Sequence, residues 1–377
     1  MLIGIDARCL EWSRGGVSRY LVNMLQLWPK MTVQHKFILY FQNTIPEDDF
    51  LRHPLYELKL IKGPEFLKSR RIFAEQILMP GQLRKDNLDL FFAAWYTSPL
   101  LYTGIKTVVA AWDISYSTHP AHYSWWNRIS LGYFSRRSCQ RAAGVVTCSV
   151  FDAQQIEKHY KVPADKILTV HLSADNRFSS ERNEEEISLV KVKYKLPRRF
   201  ILSLGVIHNR RNVDIVIKAF EQLKDEYPDF SLVVIGRNST QPFIDIKGMM
   251  QPMVSEGRAV YMQWFDDLDL LSLYQAADYY VCTSTVDGET IMLKEAMKAG
   301  TAVITSPLLE GTIGGNGLII SDPESLIVTV ATFRIAMGND AGREERITKG
   351  LEWNKQFTWS RVAKESMRFL ESRVAKP

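Results

Sequence analysis

Two acids, Asp287 and Glu295, stand eight positions apart in the run Ser284-Thr285-Val286-Asp287-Gly288-Glu289-Thr290-Ile291-Met292-Leu293-Lys294-Glu295. The pattern between them is a loop followed by a short helix, and an apolar strand pattern, Ala302–Ser306, comes next. A loop ahead of a helix N-terminus offers backbone N–H groups that suit a diphosphate. Acids at its two edges can accept hydrogen bonds from sugar and ribose hydroxyls. Read without that context, Asp287 is a turn residue and Glu295 a solvated helix acid. A second cluster follows the strand pattern Phe200–Leu204: Gly205, then Arg210 and Arg211, then a helical run from Val213. Guanidinium groups can hold phosphate bidentately, although an Arg-Arg pair on a loop is by default a solvated one. Near the N-terminus Gly15-Gly16 joins a strand pattern to a helix, and a glycine pair lets backbone approach a ligand closely. Asp113 follows the apolar run Thr107–Ala111 and is either a polar site residue or a helix-starting carboxylate.

Other chemistries find no support. No GxGxxG follows a strand, no GxxxxGK[ST] occurs, and Gly314-Gly315-Asn316-Gly317 has the wrong spacing, so hydride transfer to NAD and P-loop hydrolysis are poor readings. The histidines show no ligand spacing, and the four cysteines are scattered, which argues against zinc and against a disulfide framework. Asp266-Asp267-Leu268-Asp269 sits where a helix should start, and acids there cap it. Neither a metal nor a cofactor is expected.

These residues need a scaffold. The chain has 377 residues, enough for two or three domains, and its 46% hydrophobic and 24% charged residues exclude a disordered or coiled-coil chain. Strand patterns at Leu2–Asp6, Lys36–Phe41, Leu88–Phe92, Thr107–Ala111 and Gly144–Cys148 alternate with helical ones, starting with Val17–Trp28. A polar segment, Ser179–Glu186, reads as an exposed linker. The alternation then restarts with strands Phe200–Leu204, Ser231–Ile235, Ala259–Met262, Tyr279–Cys282 and Ala302–Ser306, and ends in an amphipathic helix, Trp359–Val374. Alternation of this kind predicts an α/β class: two doubly wound, Rossmann-like domains with mostly parallel sheets, facing across a cleft. The expected divisions are 1–178, 179–356 and a closing helix, 357–377, that packs back on the first domain.

The net charge of +5 is uneven: residues 1–178 carry 22 Lys/Arg against 15 Asp/Glu, the rest 25 against 27. A basic first half suits an anionic partner, although ordinary solvated Lys and Arg explain so small an excess equally well. The run Trp112–Arg141 mixes aromatic and basic residues and reads first as core packing, then as contact with a membrane or lipid-linked acceptor, with nucleic acid last. With no basic leader and no unbroken apolar stretch of spanning length, the expected location is cytoplasmic, with peripheral membrane contact through the N-terminal domain.

The motifs resemble those of the retaining glycosyltransferases of family 4, especially mannosyltransferase-like members. Asp287 and Glu295 fall on the two acids of that family's E-x7-E region, with Glu289, Thr290 and Met292 in place of its Phe, Gly and Pro. Gly205 through Asn212 resembles Gly-Thr-x-x-Pro-Arg-Lys-Asn, and Ile3–Leu10 with Gly15–Tyr20 resembles Ile-Gly-Ile-Asp-Ala-Arg-x-Leu and Gly-Gly-Ile-Gly-Arg-Tyr. At Trp112-Asp113 relatives carry His-Asp, so Trp112 departs from the pattern. The resemblance implies a GT-B fold and transfer of a hexose, mannose being favoured, from a GDP- or UDP-linked donor to a glycan or lipid-linked acceptor in polysaccharide biosynthesis. By it, Arg210, Arg211, Asp287 and Asp113 are the catalytic candidates. Gly15, Gly16, Gly205, Trp264, Ser284, Gly288, Glu289, Thr290 and Glu295 would bind the donor, with Trp264 or Phe265 stacking on the base. A GT-B sugar-nucleotide epimerase and a catalytically silent sugar-nucleotide-binding relative are the alternatives.

Overall fold

The computed structural model describes residues 1–11, 16–31, 34–68, 70–101, 103–286 and 288–374, except the side chain of Asn127. The chain forms two compact units, Met1–Leu172 with Thr358–Pro377, and Ser173–Phe357. The first division falls at 172/173 and not at 178/179. The reason is that Ala174 and Phe178 are buried in the core of the second unit.

In the first unit seven strands run parallel: β1 (Leu2–Asp6), β2 (Lys36–Phe41), β3 (Tyr56–Leu60), β4 (Leu90–Ala93), β5 (Lys106–Ala110), β6 (Gly144–Thr147) and β7 (Ile167–Thr169). Their order is β3-β2-β1-β4-β5-β6-β7. The second unit repeats the plan with β8 (Arg199–Leu204), β9 (Phe230–Ile235), β10 (Ala259–Met262), β11 (Tyr279–Cys282), β12 (Ala302–Thr305) and β13 (Leu318–Ile319), ordered β10-β9-β8-β11-β12-β13. In each sheet the winding reverses once, between β1 and β4 and between β8 and β11. At such a reversal the loops leaving the carboxyl ends of adjacent strands turn to opposite faces and leave a crevice.

The apolar runs of the sequence are explained by burial on both faces. Along the second sheet, Phe200, Leu202, Val233, Ile235, Tyr280 and Cys282 face one core. Their neighbours Ile201, Leu232, Val234, Tyr279 and Val281 face the other. The segment expected to be a linker is only partly one. Asn183 caps the helix Glu184–Lys193, with its carboxamide oxygen accepting from the N–H groups of Glu185 and Glu186. Glu184, Glu185 and Glu186 lie in that helix's first turn, where acids complement the dipole.

The last helix, Trp359–Val374, packs in the first unit. The Tyr20 hydroxyl donates to Ser366 Oγ at 2.8 Å, and the Trp28 indole N–H donates to the Ala363 carbonyl at 3.2 Å. Gly144, at the start of β6, lies against Phe369 so closely that a Cβ there would stand 2.7 Å from its ring.

A buried charge network sits where β1 ends. Arg8 Nη2 donates to Asp6 Oδ2 at 2.7 Å and to Glu75 Oε2 at 2.6 Å, and Arg8 Nη1 donates to the Arg71 carbonyl at 3.1 Å. All three ionised side chains are buried. Burial alone would raise the Asp6 pKa, but the guanidinium groups of Arg8 and Arg71 outweigh it and hold the carboxyl below its usual range. Its contribution to stability is therefore complete above the ordinary aspartate value of 3.8 and is lost as pH falls through the lower folded value. Arg8→Met leaves two buried carboxylates with only the Arg71 guanidinium, 3.8 and 3.9 Å away, and a loss of about 3–5 kcal/mol at neutral pH is expected. Denaturant unfolding of the variant and of the natural chain at pH 7 and pH 3 checks this: the deficit should shrink at the lower pH, as the stabilisation that Arg8 gives the Asp6 carboxylate is lost on protonation.

Candidate active site

The crevice of the second sheet is assembled from two loops. One leaves β8 at Gly205, whose φ of +117° is a region that favours glycine. It passes through the turn Asn209–Arg211 and Asn212, then enters the helix Val213–Leu223. The other leaves β11 at Thr283 and runs to the helix Ile291–Lys298. Hydrogen bonds stitch the two together. Thr283 Oγ1 donates to the Arg211 carbonyl, Asn212 Nδ2 to the Thr283 carbonyl at 3.2 Å, and Thr285 N to the Arg210 carbonyl at 3.0 Å.

Two pieces far apart in sequence meet here. A Cβ built on Gly205 would stand 2.3 Å from Arg211 Nη1 and 2.9 Å from Met292 Cε. Glycine at 205 therefore makes room for the guanidinium and for the first turn of the helix Ile291–Lys298. Arg211 Nη1 lies 3.4 Å from the Leu204 carbonyl, and the Tyr280 hydroxyl reaches the same carbonyl at 3.4 Å. Thr290 is the N-cap of the helix, yet its side chain makes no cap hydrogen bond. The first-turn N–H groups thus lack the side-chain oxygen that commonly caps them and keep their capacity for an anion. In the second turn Glu295 is buried, with the Tyr274 hydroxyl donating to its Oε2 at 3.3 Å. Ser284 is buried at the base of the loop, its carbonyl accepting from the Ser306 hydroxyl.

So Gly205 and Arg211 meet the first turn of the helix Ile291–Lys298 at one strand end, Arg210, Ser284, Gly288 and Thr290 lie on the two loops that border it, and Glu295 lies within that helix. Asp287 and Gly15 lie outside the described residues. Trp264 follows β10, an edge strand two positions from β8 and thus about 10 Å away. Its ring is 71% exposed. Phe265 beside it packs on Tyr194 with ring centroids 4.1 Å apart. In the first unit Asp113 accepts from Ser115 N at 2.9 Å and from the Tyr96 hydroxyl at 3.1 Å, so its carboxylate starts the short helix Ser115–Thr118. Burial first, and the charge of Asp113 second, push the Tyr96 hydroxyl pKa well up. Trp112 is a core residue, with its indole N–H on the Ala94 carbonyl at 3.3 Å and its ring 4.6 Å from Tyr20. Gly16 opens the helix Gly16–Leu27, and a Cβ there would meet nothing within 4 Å, so packing does not require glycine. The acids of Asp266-Asp267-Leu268-Asp269 are used locally. Asp266 accepts from Leu268 N at 3.0 Å, Asp267 pairs with Arg177 at 2.7 Å and Asp269 with Lys193 at 2.6 Å.

Glu289 is turned away from the expected donor contact. Its carboxylate pairs with Lys294 Nζ at 3.0 Å, and the two side chains are only 2% and 1% exposed. The ammonium also lies 3.7 Å from the centre of the Phe357 ring. Sequence reasoning missed Lys294, although a lysine among Leu293, Ala296 and Met297 on an otherwise apolar helix face is itself a signal that an acid must be near. The pair fixes the loop's last residues onto the second turn of the helix. Glu289→Leu or Lys294→Met alone takes the ion-pair partner from a buried charge and should cost about 3–5 kcal/mol, whereas the double variant should recover to within about 1 kcal/mol of the natural chain. Urea unfolding of the three variants measures this. Additive losses would contradict the coupling.

Comparison with known proteins agrees with this architecture. The family model described as Glycosyltransferase Family 4 matches residues 14–176, and that described as Glycosyl transferases group 1 matches residues 184–314. The chain is similar to O-antigen chain mannosyltransferase B of Escherichia coli, with 26% identity over 272 residues, 70% of this chain and 69% of that protein. Among solved structures, WaaG, a glycosyltransferase involved in lipopolysaccharide biosynthesis, matches with a TM-score of 0.74 at 15% identity, covering 98% of this chain and 99% of that one. The Anabaena protein HepE in complex with UDP-glucose matches with a TM-score of 0.70 at 15% identity, covering 98% and 99%. With two doubly wound parallel sheets, a strand-end crevice carrying the paired arginines, and family matches in both halves, the chain belongs to the family 4 glycosyltransferases and is an enzyme of the GT-B fold.

Proposed function

We propose that the chain transfers a hexose, with retention at the anomeric carbon, from a nucleotide diphosphate sugar to a hydroxyl of a glycan or lipid-linked glycan. The observation that carries this reading is the meeting of Gly205, Arg211 and the first turn of the helix Ile291–Lys298. In it, the diphosphate lies against the guanidinium groups of Arg210 and Arg211, the backbone of Gly205 and the N–H groups of Gly288–Thr290. Glu295 accepts hydrogen bonds from the ribose, and Asp287 from the sugar. As the bond between the anomeric carbon and the phosphate oxygen breaks, negative charge grows on the leaving diphosphate. Fixed donors aimed at that charge lower the barrier, because they need no reorganisation when it develops. The first unit, with Asp113, takes the acceptor.

Mannose is the favoured hexose, supported by the similarity to a mannosyltransferase of O-antigen chains. Similarity to HepE in complex with UDP-glucose keeps a UDP-linked donor in view beside a GDP-linked one. The work would be done at the cytoplasmic face, in building a polysaccharide.

Charge-assisted hydrogen bonds are worth about 1.5–3 kcal/mol each, so Arg211→Ala should weaken nucleotide binding about 10- to 100-fold. Glu295→Ala should weaken it by a smaller factor. Calorimetric titration of the natural chain with GDP, UDP and ADP, then of each variant with the tightest of the three, measures both effects. Unchanged affinity in both variants would remove the site. A panel of sugar nucleotides with and without glycan acceptors reads the reaction: acceptor-dependent release of nucleotide supports transfer, acceptor-independent release supports epimerisation or hydrolysis, and binding without turnover supports a silent relative.

A further inference from the structure

The helix Trp125–Arg141 is built inside out for a water-soluble surface. Its fully buried side chains are small: Ser135, Ser138 and Cys139, with Ser135 Oγ accepting from the Tyr116 hydroxyl at 2.7 Å and Ser138 Oγ from Ser98 N at 2.9 Å, while Leu131 and Phe134 are half-buried. Its outward side carries the large apolar groups. Trp125, Ile129 and Tyr133, at i, i+4 and i+8, are 66%, 54% and 53% exposed, and Trp126 beside them is 43% exposed. Residues four apart lie on one helix face, so these side chains form one patch. Scattered exposed apolar residues are ordinary, but a contiguous patch with two tryptophans marks an interaction surface.

The charge beside the patch selects the partner. Arg136, Arg137 and Arg141 continue the same face toward the C-terminus of the helix, Arg128 borders its start, and all four are exposed. None of the 17 residues of the helix is acidic. Arg141 Nη1 donates to the Leu100 carbonyl at 2.6 Å, which brings the neighbouring Leu101, 58% exposed, to the edge of the patch. Tryptophan and tyrosine favour the boundary between headgroups and acyl chains, and arginines pair with lipid phosphates while their stems lie on apolar surface. Among the described residues no helix is long and apolar enough to cross a bilayer, so this face can lie on a membrane and not pass through it.

We propose that the exposed face of Trp125–Arg141 docks the first unit onto an anionic lipid bilayer. The aromatic half enters the headgroup boundary, and the arginine half binds the phosphates. The proposal does not depend on the identity of the donor or on the reaction.

The test is co-sedimentation of the purified chain with vesicles of phosphatidylcholine alone and of phosphatidylcholine with about 30% phosphatidylglycerol. Partition into the anionic vesicles should be at least about tenfold stronger, should fall as salt is raised, and should shift the tryptophan emission to the blue. The variants Trp125→Ala/Trp126→Ala and Arg136→Gln/Arg137→Gln should each lower it by about tenfold or more, with melting temperatures little changed because these side chains are exposed. Equal binding to neutral vesicles, or variants that bind like the natural chain, would overturn the proposal. So would a self-association, or binding of a single-stranded oligonucleotide, that the tryptophan variant abolishes while vesicles are not bound at all.

Discussion

The hydrogen bonds from Thr283, Thr285 and Asn212 across the reversal point of the second sheet are the constraint on which the site depends. A parallel sheet wound in both directions leaves a gap where adjacent strands send their loops to opposite faces. Left alone, two such loops would move independently. Here the turn that carries Arg210 and Arg211 is tied through its own carbonyls to the strand end from which the Ser284–Thr290 loop departs. The Arg211 guanidinium and the first turn of the helix Ile291–Lys298 consequently meet before any ligand arrives. That is what electrostatic stabilisation of a leaving diphosphate requires.

The glycine at 205 belongs to the same constraint. With φ at +117° and Arg211 Nη1 only 2.3 Å from where a Cβ would stand, neither the backbone nor the space tolerates a side chain. The Glu289–Lys294 pair does for the loop's far end what an apolar contact would do elsewhere, at the cost of two buried charges. Such pairs add little net stability over well-packed apolar residues, but each partner is costly to lose, which pins the loop's conformation.

The central strands of both sheets were legible because burial on both faces makes them continuous apolar runs: Leu2–Asp6, Lys36–Phe41 and Tyr279–Cys282 are read from sequence with the bounds the structure gives. The edge strand Ala259–Met262 was legible too, but the edge strands Tyr56–Leu60, Ile167–Thr169 and Leu318–Ile319 were not. Tyr56–Leu60 is Tyr-Glu-Leu-Lys-Leu with only Tyr56 buried, and Leu318–Ile319 has two residues, so neither gives a core signal. The helix Leu326–Gly338 was missed because its apolar residues go all the way round and show no period. The pairing of Arg211 with Gly205 followed from motif order, but the inward turn of Glu289 did not. A carboxylate on a ligand loop reads as a ligand contact unless its lysine partner, five residues on, is noticed. Trp264 was suggested by its aromatic ring beside a motif, and the sheet order adds that it follows the edge strand Ala259–Met262, two positions from β8.

The most direct test of the account is a crystal structure of the chain with whichever of GDP or UDP binds more tightly. The account predicts both phosphates against Arg210 and Arg211, within hydrogen-bonding reach of the N–H groups ahead of Ile291, with the ribose toward Glu295. A nucleotide bound anywhere else, or phosphates that leave both arginines facing solvent, would contradict it.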